Sequence, residues 1–389
     1  MKIAYIGQKG IPAKTGGVER YVEEVAIRMA KLGHEVFVYS RSNYTPKRLR
    51  RYCGVTVVNL PSIPTKNLDA ISHTFLASLH ALFQNYDVIH YSSIGPTSLS
   101  VIPKFLKKRS VIVSTFQCQD YLHKKWGGLA RAYLRFSEKL TCLVPDKTIV
   151  VTDLLRRYSK EKYGKEPVRI PNGTAFRQNL DQDELSTWGL EKNNYVFCAS
   201  RLVGHKGVHF LIRAFNSLQK QGWHQDKKLV IAGSGAYTDK YVAFLHDLAK
   251  ENENVIFTGT VDEAKLEQLF SHCYVFVQPS ELEGMSLALL EAMGYGKAIL
   301  ASDIAENLEA LKGSGFSFRS GDEKDLEQKL LNLLDDSALA KTSGRESLEV
   351  AKANYAWEDI VAQIEHVYEE SIQDKEKQKT KKMLVIASR

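Results

Sequence analysis

Gln278 to Asn307 reads QPSELEGMSLALLEAMGYGKAILASDIAEN, and the reading of this stretch decides the fold. The apolar run Tyr274–Val277 has strand character and stops at Pro279 and Ser280; from Glu283 onward Leu287, Leu290 and Met293 recur at helical spacing, so a helix is expected to open at Glu283. A strand, a turn and a helix in succession is the repeating unit of a wound α/β sheet. The helix start, with Gly284, Met285, Ser286 and Leu287, offers unpaired backbone N–H groups and the positive end of the helix dipole to the crevice above the strand. An anionic phosphate is held at such a place. On a continuous helix Glu283 and Glu291 stand roughly 12 Å apart, at about 1.5 Å per residue. A diphosphate-linked sugar has about that length, so one carboxylate is placed to accept from sugar hydroxyls and the other from a ribose diol. The plainer reading is two solvated glutamates on an exposed helix face. Leu289, Leu290, Ala292 and Met293 around Glu291 weaken it.

The stretch resembles the signature of glycosyltransferase family 4, retaining sugar transferases with two Rossmann-like domains in the GT-B arrangement. That signature is a Glu, seven residues and a second Glu, then a small-residue turn and a strand; EGMSLALLE followed by AMGYGKAILASD matches it, with Pro279, Ser280, Asp303, Glu306 and Asn307 in keeping. The resemblance implies an α/β chain of two doubly wound domains facing each other across a cleft, with the sugar donor in the cleft, mainly on the second domain.

With 389 residues and 44% apolar content, the chain has material for two domains of ordinary size. The five cysteines are scattered, without metal-ligand spacing, which argues against a disulfide framework or a zinc site and fits a reducing cytoplasm. MKIAYIG runs directly into a strand, and no stretch is long and apolar enough to span a bilayer, so neither export by a standard signal nor a membrane-spanning helix is expected. The net charge of +8 is unevenly distributed: 28 basic residues stand against 12 acidic ones through Arg169, leaving 25 against 33 in the rest. Basic clusters at 46–51, 104–109 and 123–125, and at Arg131, Arg135 and Lys139, lie beside Phe105, Leu106, Trp126, Leu129 and Phe136. Such surface suits an anionic membrane or an anionic acceptor; ordinary solvated charge and nucleic acid are the rival readings.

Strands are expected near 2–7, 35–40, 55–60, 87–91, 110–115 and 147–151, with helical patterns between most of them. The first turn, GQKGIPAKTGG, precedes the helix VERYVEEVAIRMAKLG and is not a dinucleotide GxGxxG. Gly16 and Gly17 either serve the turn alone or let backbone approach a bulky anion. GIPAKTGGVE resembles a family 4 subgroup that includes rhamnosyl- and other polysaccharide-building transferases, which implies that Gly16 and Gly17 pack against the donor diphosphate. In that subgroup the strand near 110–115 ends in a His followed by an acid and a basic, Trp-containing helix start. Asp120, Lys125, Trp126 and Gly127 fall in register, but Gln117 takes the place of the His. Gln keeps a hydrogen bond to a sugar while losing the capacity to titrate. His123 reads as a surface residue.

Residues 169–194 read as the link between halves, with IPNG resembling the family's passage into its second domain. There the alternation restarts, and SRLVGHKG sets Arg201 and Lys206 on a strand-to-helix loop. A basic pair on a loop is usually solvent-facing; the resemblance implies instead that Arg201 and Lys206 grip the donor pyrophosphate, as a guanidinium and an ammonium are suited to do. GSG at 233–235 is a weaker family-like feature. The expected division is 1–172 for an acceptor-binding domain and 173–356 for a nucleotide-sugar-binding domain, with a helix at 357–372 crossing back to the first and a mobile basic tail at 373–389.

The resemblance implies a retaining transferase that moves a hexose from a nucleotide-diphosphate sugar to an acceptor hydroxyl. Arg201, Lys206 and the N–H groups of Gly284, Met285, Ser286 and Leu287 would stabilise the departing diphosphate, Glu283 would orient the donor sugar, and Glu291 would bind the ribose. No metal or other cofactor is expected. In a front-face mechanism the donor phosphate itself takes the acceptor proton, which accommodates Gln117. The expected acceptor is lipid-linked or a growing surface polysaccharide, with the protein cytoplasmic and peripheral on the inner membrane face, and nucleic acid is not an expected partner. A non-catalytic sugar-nucleotide-binding subunit, a nucleic-acid-binding protein and a nonhydrolysing sugar-nucleotide epimerase are the alternatives; for the last, no acid and base near the sugar are identifiable.

Overall fold

The structure is a computed structural model that describes residues 1–122, 126–177 and 181–387. His123 and Lys125, singled out above, lie outside the described residues. The chain forms two compact units, Met1–Pro171 with Trp357–Arg389, and Asn172–Ala356. The division thus falls between Pro171 and Asn172, one residue earlier than expected.

The first unit is built on β1 (Lys2–Ile6), β2 (Glu35–Arg41), β3 (Arg51–Tyr52), β4 (Val55–Leu60), β5 (Val88–Ser92), β6 (Val111–Phe116), β7 (Lys147–Val150) and β8 (Val168–Arg169). They lie in the order β3-β4-β2-β1-β5-β6-β7-β8, all parallel except the β3–β4 pair. Helices α1 (Gly17–Lys31), α2 (Asp69–Leu82), α3 (Ile94–Thr97), α4 (Val101–Leu106), α5 (Gly128–Leu143) and α6 (Asp153–Tyr163) make the connections. Every residue of β5 and β6 is buried, which is why these strands read as continuous apolar runs rather than alternating ones. Ala4, Ile6, Tyr39, Tyr91 and Ile112 pack against Ala77 and Ala81 of α2.

The second unit repeats the plan with β9 (Tyr195–Ala199), β10 (Lys228–Ala232), β11 (Val255–Gly259), β12 (Val275–Gln278), β13 (Ala298–Ser302) and β14 (Phe316–Phe318), in the order β11-β10-β9-β12-β13-β14 and parallel throughout. Its helices are α7 (Val208–Lys220), α8 (Asp239–Ala249), α9 (Glu263–His272), α10 (Leu287–Gly294), α11 (Ala305–Leu311), α12 (Glu323–Asp335) and α13 (Ser337–Asn354). Leu211, Phe215 and Leu218 of α7 pack with Leu326 and Leu330 of α12 over Val196, Ile231 and Val277. The strand order reverses between β9 and β12. Open α/β sheets bind ligands at the carboxyl ends of strands beside such a reversal.

The last helix, α14 (Trp357–Ala387), belongs to the first unit. Trp357, Ile360, Ile364, Val367 and Tyr368 are buried. The Tyr368 hydroxyl lies 3.1 Å from that of Tyr5 and 2.5 Å from His90 Nδ1, and His90 Nε2 lies 2.6 Å from Thr115 Oγ1. Burial pushes the His90 imidazole down to about 3, so it is neutral in this thread of polar groups. The expected end at Ile372 and the mobile tail are corrected here: the helix continues without a break through Ala387. No glycine or proline interrupts it, and Lys375 fastens it by donating to the Ser110 carbonyl (2.6 Å) and pairing with Asp146 (3.4 Å).

Candidate active site

Three loops at the carboxyl edge of the second sheet converge because two glycines permit it. Gly207 closes the loop after β9 with φ of 67°, and a Cβ there would stand 1.8 Å from the Pro279 carbonyl oxygen. Gly233, at φ of 135°, would bring a Cβ within 1.9 Å of the Ser200 carbonyl oxygen. Any other residue would push these loops apart. The Glu281 N–H donates to the His205 carbonyl (2.8 Å), and the Leu202 N–H donates to the Ser234 carbonyl (2.9 Å). The GSG segment thus lets the loop after β10 lie against the loop that carries Arg201.

This convergence delivers Lys206 to Glu283. Lys206 Nζ and Glu283 Oε1 stand 2.5 Å apart, with side chains only 14% and 7% exposed. Gln278 Nε2 donates to the same carboxylate oxygen (2.6 Å) and to Ser280 Oγ (2.8 Å). Burial is the largest influence on Glu283 and pushes its carboxyl up, but the Lys206 charge and hydrogen bonds from Lys206 and Ser280, with His205 adding to them, leave it below the ordinary carboxylate range. Glu306 goes the other way. Burial, reinforced by the Glu283 and Glu309 charges against one backbone hydrogen bond, raises it. Arg201 is half-buried and forms no ion pair among the described residues, so of the two expected phosphate-gripping cations it alone is uncompensated.

The helix expected to start at Glu283 begins instead at Leu287. Ser286 is its N-cap, the Oγ accepting from the Leu289 N–H (3.3 Å), while Glu283, Gly284 and Met285 form the loop before it. Gly followed by a long side chain and a capping Ser favours a turn over a helical first residue. The 12 Å helical span between Glu283 and Glu291 therefore does not exist, since only Leu287–Gly294 is helical. Glu291, half-buried, lies in the second turn of α10. The N–H groups of Leu287 and Ala288, in the first turn, have no protein acceptor among the described residues. Asn172, part of the linking IPNG motif and given no role by the sequence pattern, donates from Nδ2 to the Met285 carbonyl (2.8 Å) and so holds the loop from behind. Its Oδ1 is buried without a partner among the described residues. Asn307 donates to the Ser302 carbonyl (3.1 Å) and Oγ (3.0 Å), and Ser302 Oγ donates to the Ser280 carbonyl (2.5 Å), tying β12 to β13 at the same edge.

Gly16, Gly17 and Gln117 belong to the first unit. Gly16 caps α1 at φ of 103°, where a Cβ would lie 2.2 Å from a Glu19 carboxylate oxygen. The buried Glu19 and Glu23 carboxylates accept from the N–H groups of Lys9 (3.0 Å) and Ala13 (3.2 Å), and the Tyr44 phenol accepts from Lys14 (2.5 Å) and Thr15 (3.2 Å). Four donors of the glycine loop are thereby satisfied by the unit's own side chains, which accounts for the glycine at position 16. Gly17, the first residue of α1, is exposed. Gln117 follows β6 directly and is half-buried. Among the described residues no cluster of three or more His, Cys, Asp or Glu is arranged to hold a metal ion, and no helix is long and apolar enough to cross a membrane.

Two family models match the chain: Glycosyltransferase Family 4 over residues 15–176 and Glycosyl transferases group 1 over residues 182–349. A phosphatidyl-myo-inositol mannosyltransferase from Mycolicibacterium smegmatis is 27% identical over 366 residues, spanning 91% of this chain and 90% of that protein. An alpha-monoglucosyldiacylglycerol synthase from Streptococcus pneumoniae is 25% identical over 320 residues, spanning 74% of this chain and 68% of its own length. Among solved structures, HepE of Anabaena in complex with UDP and glucose superposes with a TM-score of 0.78 at 20% identity, covering 95% of this chain and all of that one. Likeness at that identity speaks for the fold.

Proposed function

The chain belongs to the family 4 glycosyltransferases, and from that premise we propose that it moves a hexose, with retention of configuration, from a nucleotide-diphosphate sugar to an acceptor hydroxyl without a metal ion. The observation that carries this reading is the buried Lys206–Glu283 pair just before the first turn of α10, with Arg201, on the same loop as Lys206, in no ion pair among the described residues. Diphosphate is the ligand whose charge such a site lacks. Arg201 and the N–H groups of Leu287 and Ala288 take the phosphates as charge grows on them. Lys206 then shares its charge between the leaving phosphate and Glu283. Glu283, kept ionised, accepts from donor-sugar hydroxyls and favours positive character at the reacting carbon. Glu291 takes the ribose diol. Gln117, Gly16 and Gly17 are assigned contacts with the donor from the first unit, as members of the polysaccharide-building subgroup would make them.

The relatives named above act on lipid-borne acceptors by their names. Together with the basic first half they support a lipid-linked or growing polysaccharide acceptor and a peripheral position on the inner membrane face. Gln117 favours a second reading, a sugar-nucleotide-binding subunit without transfer activity. A thermal-shift screen against UDP, GDP, ADP and dTDP sugars, repeated on Arg201→Ala and Glu291→Ala, tests the donor site. Stabilisation by one nucleotide class that both substitutions weaken is the expected result; indifference of all three proteins to every nucleotide would sink it. Donor turnover by the parent then separates transferase from binding subunit.

A further inference from the structure

Helix α5 presents to solvent a face that the transfer chemistry does not use. Its inward side is settled: Leu134, Ser137, Glu138, Thr141 and Cys142 are buried, and Tyr133 reaches Ser98 Oγ at 2.7 Å. Its outward side carries Leu129, Phe136 and Leu143, which are 90%, 58% and 39% exposed, with Arg131, Arg135 and Lys139 exposed between them. The three apolar side chains recur every seven residues and form one stripe along the helix, and the three cations recur every four and form a second stripe that flanks it on the exposed side. The helix's one carboxylate is withheld from that surface. Glu138 is fully buried and accepts from Tyr158 (2.7 Å), Tyr163 (2.6 Å) and Lys162 (3.1 Å). The charge that remains outside is uniformly cationic and flanks a stripe of large apolar groups.

We propose that α5 is the surface by which this protein lies on an anionic lipid bilayer, with Leu129, Phe136 and Leu143 entering the headgroup–acyl boundary and Arg131, Arg135 and Lys139 meeting lipid phosphates. A soluble polyanion pairs with the cations but leaves the leucines and the phenylalanine in water; a bilayer takes both. The helix hangs from the loop that begins at Gln117, at the carboxyl edge of the first sheet, so its Leu129 end brings the bilayer to the edge where open α/β sheets bind ligands. This rests on the lipid-linked reading of the acceptor and names the surface that reading requires.

The test is co-sedimentation of the full chain with phosphatidylglycerol–phosphatidylcholine vesicles, against phosphatidylcholine alone and against soluble heparin. The parent is expected to partition onto the anionic vesicles. R131Q/R135Q/K139Q should lower that partition about 100-fold, at about fivefold per charge, and L129S/F136S should lower it about tenfold or more. Thermal melts verify that both variants are folded. Partition no greater on anionic than on neutral vesicles overturns the proposal, as do α5 variants that sediment like the parent. Heparin binding as tight as vesicle binding, together with an L129S/F136S variant indistinguishable from the parent, also overturns it and assigns the face to a soluble polyanion. Nucleoside-diphosphate binding, measured on the same samples, reads the donor site separately, so failure of the transferase reading and failure of this one are told apart.

Discussion

At the scale of single residues, Lys206 and Glu283 meet in a setting that excludes most water, and the ammonium keeps the carboxylate ionised. Removing one partner leaves the other buried without compensation. Lys206→Ala should therefore lower stability by about 3–5 kcal/mol, measured by urea unfolding at neutral pH, and Lys206→Ala with Glu283→Gln should recover most of the loss. The sign of the pH dependence follows from Glu283 lying below its ordinary range. Its contribution is complete above the unfolded carboxyl's pKa and is lost as pH falls through the lower, folded value. Glu306 is raised, so it opposes stability increasingly as pH climbs through the carboxylate range, and Glu306→Gln should raise the melting temperature at neutral pH while losing that advantage in acid. Arg201→Ala, in contrast, breaks no ion pair among the described residues and should leave the melt nearly unchanged. It should weaken nucleoside-diphosphate binding about 10- to 100-fold by calorimetry, the worth of a charge-assisted hydrogen bond. The residue types of this site are legible in the sequence through the EGMSLALLE and SRLVGHKG motifs. The Lys206–Glu283 pair is not, because no local periodicity relates positions on two different loops.

At the scale of elements, the loop after β9 and the loop after β12 behave as one piece because Gly207 sits against Pro279. Gly207→Ala should destabilise the protein by about 1–3 kcal/mol and weaken nucleotide binding as well, since the displaced loop carries Lys206; circular-dichroism melts and calorimetry on one sample check both. Hydrophobic spacing alone extends α10 back over Glu283 and Gly284, where the chain is a loop. Ser286, a capping residue just before Leu287, is the signal that fixes the true start. Strands are legible to within a residue or two wherever burial on both faces makes continuous apolar runs. The two-residue strands β3 and β8 have no room for a pattern and leave no trace in the sequence.

At the scale of the molecule, the repetition of an alternating strand–helix pattern on either side of residues 169–194 is sufficient to read two doubly wound units. The return of the last helix to the first unit is legible only through the family resemblance, and its full length is hidden because a charged, low-complexity run looks like a tail until Lys375 is seen to bind Asp146 and Ser110. Tyr368→Phe keeps the packing of α14 but strips the hydroxyl from Tyr5 and His90, and should cost about 1–3 kcal/mol; Trp357→Ala should cost about 3–5 kcal/mol. Urea unfolding followed by tyrosine and tryptophan fluorescence measures both.

Tyr368 and Tyr5 also set a schedule. The first unit contains both ends of the chain, and the 185 residues from Asn172 to Ala356 come between its two parts. During synthesis at about 5–20 residues per second, Tyr5 and His90, which precede Tyr368 by 363 and 278 residues, therefore wait roughly 15–70 s for the helix that covers them. The second unit, continuous in sequence, emerges whole in that interval. The half of the protein that is made first is thus the half completed last, and the period between is when its uncovered sheet is open to chaperones, proteases and other nascent chains.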